Sequence, residues 1–167
     1  VSIPMSGALP PEGSDSHDLH IGYHMFNFWA SKYAWIQPGH NFKNLSKKLG
    51  PHESEIFHIK PVSLDKCQYI GSELHFTCGF EVTRFDSTST SIDLQLRKDS
   101  KRSGFIYVYL PCYAFPMTVK VSGIVAQGEI IFKTPKIARN ATFYGGQVVR
   151  IWAVIHGNGS PEDGRVT

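Results

Sequence analysis

Gly104-Phe105-Ile106-Tyr107-Val108-Tyr109-Leu110-Pro111 is the stretch on which the reading of this chain turns. Successive residues of a strand face opposite sides, so Ile106, Val108 and Leu110 share one face and Phe105, Tyr107 and Tyr109 the other. With apolar or aromatic groups on both sides, the stretch predicts a strand covered on both faces, opened by Gly104 and stopped by Pro111.

The surrounding sequence supplies neighbours for it. Ile92, Leu94 and Leu96 alternate with Asp93, Gln95 and Arg97, which predicts a half-buried strand. Residues 72–85 give the clearest alternation: Leu74, Phe76, Cys78, Phe80 and Val82 against His75, Thr77, Gly79, Glu81 and Thr83, the pattern of one long strand with a wet face. Downstream, Val119 and Val121 lead through Gly123 into Ile124-Val125, and Gly128 precedes 130–132, a pair expected to form a hairpin around 126–128. A last strand is expected over 147–155, with weaker patterns at 56–62 and 20–29, for about eight strands in all. One short helix is expected where Asn41 caps a turn carrying Phe42, Leu45 and Leu49 on one face, with Lys47 and Lys48 near its negative end and Gly50-Pro51 as the stop. Short strands, frequent turns and little helix predict a sandwich or jelly roll rather than a parallel α/β fold.

A chain of 167 residues suffices for one domain, burying roughly 70% of its unfolded surface. The Pro-, Gly- and Ser-rich opening, 1–16, reads as an extended arm and 157–167 as a tail, leaving 17–156 as the folded body. The formal charge is +3, and the 17 Lys and Arg are scattered apart from Lys47-Lys48 and the group from Lys98 to Arg102. No dense basic arm is present to drive nucleic-acid binding by counterion release. Cys67, Cys78 and Cys112 cannot all pair within the chain, which favours a reducing compartment, although sequons at Asn44, Asn140 and Asn158 would matter on the secretory route.

Candidate chemistry is thin. His17, His20 and His24, with Asp15 and Asp18, have spacings that a helix would bring to one face as metal ligands, yet Gly22 and the strand-like Leu19-Ile21-Tyr23 pattern scatter them, so no metal site is assigned. Cys112 reads as a small apolar residue rather than a nucleophile, because no histidine is fixed as its base. Gly145-Gly146 and Gly157-Asn158-Gly159 precede no helix and read as turns, not phosphate cradles. No catalytic residue and no cofactor is expected. The aromatic group Tyr23, Phe26, Phe28, Trp29, Tyr33 and Trp35 is read as core and subunit contact ahead of sugar or base stacking.

Gln68-Tyr69-Ile70-Gly71-Ser72-Glu73-Leu74-His75-Phe76-Thr77 resembles the aromatic-x-Gly-Ser-hydrophobic opening of a strand in picorna-like virus capsid proteins. Residues 105–113, with Pro111 and Tyr113, are similar to that family's late strand ending in Pro-x-Tyr, and Gly146-Gln147-Val148-Val149-Arg150-Ile151-Trp152-Ala153-Val154 to its final strand. The likeness spans about residues 55–156 and is nearest to a small coat protein of a plant secovirus of the cheravirus type, with three coat proteins. It implies an eight-stranded antiparallel jelly-roll sandwich with extended termini and one or two short helices, released from a polyprotein, as Val1 in place of Met would fit. It further implies assembly with sister jelly rolls and copies of itself into an icosahedral shell around RNA, in host cytoplasm, with no membrane partner. On that reading Tyr23, Phe28, Trp29, Tyr33, Trp35, Tyr107 and Tyr109 are candidates for subunit contact, and Lys98, Lys101 and Arg102 for facing the RNA. A carbohydrate-binding sandwich is the alternative, and a cupin-like metal hydrolase stands behind it, lacking converging His and carboxylate groups.

Overall fold

The structure, a computed structural model, describes residues 2–4, 22–36, 44–46, 48–63, 66–88, 91–98, 101–111, 118–134, 137–139 and 142–156. In chain order the strands are β1 (Ser2–Pro4), β2 (Tyr23–Asn27), β3 (Lys32–Ile36), β4 (Asn44–Ser46), β5 (Phe57–Pro61), β6 (Gln68–Ser72), β7 (Val82–Ser87) and β8 (Ser91–Leu96). They continue as β9 (Arg102–Leu110), β10 (Thr118–Val121), β11 (Ile124–Ala126), β12 (Gly128–Lys133), β13 (Ile137–Arg139), β14 (Thr142–Tyr144) and β15 (Gln147–Ile155). One sheet has the order β12-β15-β9-β6, a second β11-β10-β8-β7 and a third β3-β2-β5, while β1-β4 and β13-β14 are two-stranded ribbons.

The spine is β9 against β15, antiparallel and paired from Gln147↔Leu110 to Ile155↔Arg102. Strand parity sorts its side chains into two cores. Ile106, Val108 and Leu110 with Val149, Ile151, Ala153 and Ile155 meet Ile92, Leu94 and Leu96 of β8 and Val119 and Val121 of β10. The opposite parity, Tyr107, Tyr109 and Val148, meets Phe26 of β2, with Tyr33 and Trp35 of β3 packed around it. The β12-β15-β9-β6 sheet therefore lies between two others, as the two-sided reading of 104–111 requires. Each large aliphatic side chain buried there stabilises the fold by about 1.5–3 kcal/mol.

The all-β class stands, and several finer expectations are corrected. Instead of about eight strands, fifteen are present among the described residues, of which eight make the two facing four-stranded sheets. The pairing is not antiparallel throughout, because β10 runs parallel to β8. Between them β9 crosses to the facing sheet, so β10 returns in the direction of β8. Residues 72–85 are not one strand: β6 ends at Ser72, 73–81 turn back, and β7 starts at Val82. Leu74 and Cys78 are buried while Phe76 and Phe80 are exposed, so the apolar positions point in and out with twice the period of a strand. Cys78 sits at φ 44°, a left-handed bend that no strand contains.

No helix occurs among the described residues. Leu45 lies in β4, opposite Ile3 of β1, and interstrand bonds there replace the single helical turn, which so short a segment stabilises poorly. Asn41, Phe42 and Lys47 of that expectation lie outside the described residues, as do 5–16 of the arm and the tail 157–167. The expected hairpin around 126–128 is instead closed one turn earlier, between β10 and β11, with Val121 opposite Ile124. Ser122 at φ 50° and Gly123 at φ 83° form its two-residue loop, the type I′ combination that matches strand twist.

Candidate subunit interface

The third sheet covers only part of the spine's aromatic face. Tyr107 packs on Phe26 at 4.6 Å between ring centroids, and Phe132 of β12 closes the flank against Tyr33 at 5.6 Å and Trp35 at 5.8 Å. Further along, at the register Trp152↔Phe105, the cover ends. Trp152 is 51% exposed and Val154 is also open to solvent. Phe105 meets Trp152 edge-on at 5.0 Å and carries the Arg150 guanidinium over its ring at 4.6 Å. Arg150 is held in turn by Glu129, 2.7 Å away. Outward positions of a strand facing water are ordinarily polar, yet Trp152 and Val154 are apolar here. The β10-β11 hairpin adds Ile124 and Val125, both exposed, on a strand bonded within its sheet only to β10.

Two buried polar groups lie elsewhere in the molecule. Glu81, 1% exposed, accepts hydrogen bonds from the Tyr69 and Ser72 hydroxyls and from Gly79 N at 2.8 Å. Lys60 Nζ donates to Tyr69 O at 2.8 Å and lies 5.0 Å from that ring's centroid. Burial, reinforced by the Glu81 charge, pushes the Tyr69 phenol far up. Burial likewise pushes Lys60 down and the Cys78 thiol up to about 11. Ser72 also accepts from Leu74 N at 3.1 Å, so the carboxylate fastens the end of β6 to the start of β7. The Tyr69-x-Gly71-Ser72 motif owes its form to this knot. A Cβ on Gly71 would stand 2.7 Å from the Phe26 ring, closer than packed atoms allow.

The second group centres on His24, which has no exposed surface. Its Nδ1 is 3.0 Å from Tyr33 Oη and its Nε2 3.2 Å from Gln68 Oε1. Gln68 Oε1 also accepts from Ser63 N at 2.7 Å, and Gln68 Nε2 donates to Pro61 O at 2.8 Å. With that oxygen an acceptor, Nε2 carries the imidazole proton and Nδ1 accepts from Tyr33. Burial lowers the His24 pKa to about 4, with Lys60 adding to the fall and Gln68 opposing it.

The sequence candidates divide between interior and surface. Tyr23, Tyr107 and Tyr109 are buried in the chain's own cores. Phe28, Tyr33 and Trp35 are half-buried, and Trp29 is 58% exposed, edge-on to Phe28. Lys98 and Lys101 are exposed, and Arg102 is half-buried with its Nη1 on Leu74 O. Sequence reasoning missed Phe105 with Trp152, although parity from the buried Ile151 and Ala153 places Trp152 outward. It also missed Glu81, which alternation assigns to the wet face. No three of His, Cys, Asp and Glu converge as metal ligands among the described residues; His17, His20 and Cys112 lie outside them. Gly146 N is bonded to Thr134 Oγ1 at 2.8 Å rather than presented to an anion. No family model, curated protein or solved structure matches this chain.

Proposed function

We propose that this chain is a structural coat subunit of a small RNA virus, a jelly-roll body that assembles with sister subunits and copies of itself into an icosahedral shell in the host cytoplasm. The observation that carries the reading is the uncovered end of the spine's aromatic face, Phe105, Trp152 and Val154 beside Arg150. Apolar groups gathered on a rigid sheet and rimmed by charge mark a protein contact. The all-β body with two facing four-stranded sheets supports a sandwich of the kind to which jelly rolls belong. The likeness of the sequences of 68–77 and 146–154 to capsid segments supplies the class of assembly, with only 68–72 of the first forming a strand here.

Size-exclusion chromatography with light scattering and negative-stain microscopy, on the chain alone and mixed with candidate sister proteins over pH and salt, tests this. Closed shells or a stoichiometric co-assembly are expected. A persistent monomer that binds a sugar at micromolar strength would replace the proposal with a carbohydrate-binding sandwich, whose stacking residues would be Trp29 and Trp152.

A further inference from the structure

The turn between β6 and β7 carries rings that neither core absorbs. His75 is stacked on Phe76 at 4.6 Å between centroids and tilted against Phe80 at 4.9 Å. Phe76 is 51% exposed and Phe80 47%. The turn is rigid beneath them: Thr77 Oγ1 lies 2.8 Å from His75 Nδ1 and accepts from Phe80 N at 3.3 Å. His58 Nε2 donates to Phe76 O at 2.8 Å, and Glu81 closes the base of the turn as described.

Cations reach the same turn from the connection between β8 and β9. Arg97 lies over the Phe80 ring at 4.3 Å, and its Nε donates to Phe80 O at 3.1 Å. At the other end of the connection Arg102 Nη1 donates to Leu74 O at 3.3 Å. Arg97-Lys98-Asp99-Ser100-Lys101-Arg102 thus sets four cations against one carboxylate, and Arg97, Lys98 and Lys101 are exposed. The turn's own carboxylates are engaged elsewhere. Glu73 accepts from Phe105 N and Tyr107 Oη at 3.1 Å each, and Glu81 is buried.

Exposed rings on a rigid base, interleaved with cations, are what single-stranded nucleic acid needs: each base offers a π-face for stacking and each phosphate a charge. We infer that the 73–81 turn and the flanking cations form a contact for single-stranded RNA, with Phe76 taking one base, Phe80 taking another through the Arg97 guanidinium that lies over its ring, and Arg97, Lys98 and Lys101 taking phosphates. The choice of RNA rests on the coat-subunit reading; the stacking and charge complementarity rest on the turn itself. This contact needs no basic arm, because a few cations beside a stacking platform replace a dense run.

Fluorescence anisotropy of a labelled oligouridylate, titrated with the purified full chain at about 50 to 200 mM salt, reads the contact directly. The expected slope of log K against log salt is about −2, from three phosphate contacts at about −0.7 each. The double variant Phe76→Leu/Phe80→Leu, which keeps apolar bulk, should weaken binding about 10-fold or more with the salt slope unchanged. Lys98→Gln/Lys101→Gln should reduce the slope by about 1.4, and Phe76→Trp should retain binding. Unaltered urea midpoints identify the folded variants. Absence of binding at low salt, or an affinity indifferent to the leucine pair, overturns the inference. So does a leucine pair that blocks association with sister subunits while leaving RNA affinity intact, which would assign the rings to a protein contact. Anisotropy is read on the isolated chain, so binding without assembly sinks the coat reading alone, and assembly without binding sinks this inference alone.

Discussion

The two faces of the β9-β15 spine are built from the same two strands by opposite parity, and they differ in chemistry and in cover. Toward β8 and β10 the spine presents Ile, Val, Leu and Ala, covered along its length. Toward β2 and β3 it presents Tyr107, Tyr109 and Val148 against rings and buried polar groups, and beyond Phe105 it is bare. The aliphatic face is interior along the whole spine. The aromatic face is divided, stabilising where the third sheet lies on it and presenting surface where that sheet ends.

The largest effect is expected on the aliphatic face. Leu110→Ala removes a fully buried side chain and should cost about 2–5 kcal/mol, the range for such cavities, read as a lowered urea midpoint at unchanged m-value. Breaking the Glu81 knot should come next. Glu81→Leu leaves the Tyr69 and Ser72 hydroxyls and Gly79 N without their acceptor and should cost about 3 kcal/mol, whereas Glu81→Gln, which keeps one acceptor oxygen, should cost less. If Glu81→Leu proved neutral in the same titration, the turn would not depend on the knot, and its rings would lose their rigid base.

How far the sequence revealed these faces follows from the same parity. β8, β9 and β15 were legible because their inward and outward positions are chemically distinct or both apolar over six or nine residues, enough for the period to declare itself. The 72–85 run imitated that period. Its alternation is genuine in composition, but Cys78 in a left-handed conformation and the inward Glu81 reverse the chain, and neither signal is visible until Ser72 and Glu81 are known to meet. Of the interface, Trp152 was missed although its parity relative to Ile151 and Ala153 points it outward. The limit of the cover was not legible, because it is set by where β2 and β3 end, a long-range fact that local pattern does not carry.

A third expectation concerns the covered half of the aromatic face. His24 titrates near 6.5 when unfolded and at about 4 when folded, so between those values the unfolded chain binds more protons. Stability from this residue is complete above pH 6.5 and is lost as pH falls toward 4. The loss between pH 7 and pH 5 should be about 2 kcal/mol by linkage, seen as a falling urea midpoint whose slope flattens in His24→Gln. A wild-type chain no more pH-sensitive than that variant would show that the imidazole reaches solvent, and that the third sheet is looser than the aliphatic cover opposite it.

The smallest effect on stability should come from the bare half, and there the comparison is sharpest. Trp152 packs on Phe105 from one side only, so Trp152→Ser should move the urea midpoint by no more than about 0.5 kcal/mol, as expected for a surface site, while association measured by light scattering falls. Aromatic residues at the centre of a contact commonly carry much of its energy, so the two readings separate. A large loss of stability would make Trp152 part of the core and the two faces equivalent in kind. An unchanged midpoint with undiminished assembly would leave the bare half outside the subunit contact, and would move the search to Ile124 and Val125 on the β10-β11 hairpin, which are also exposed.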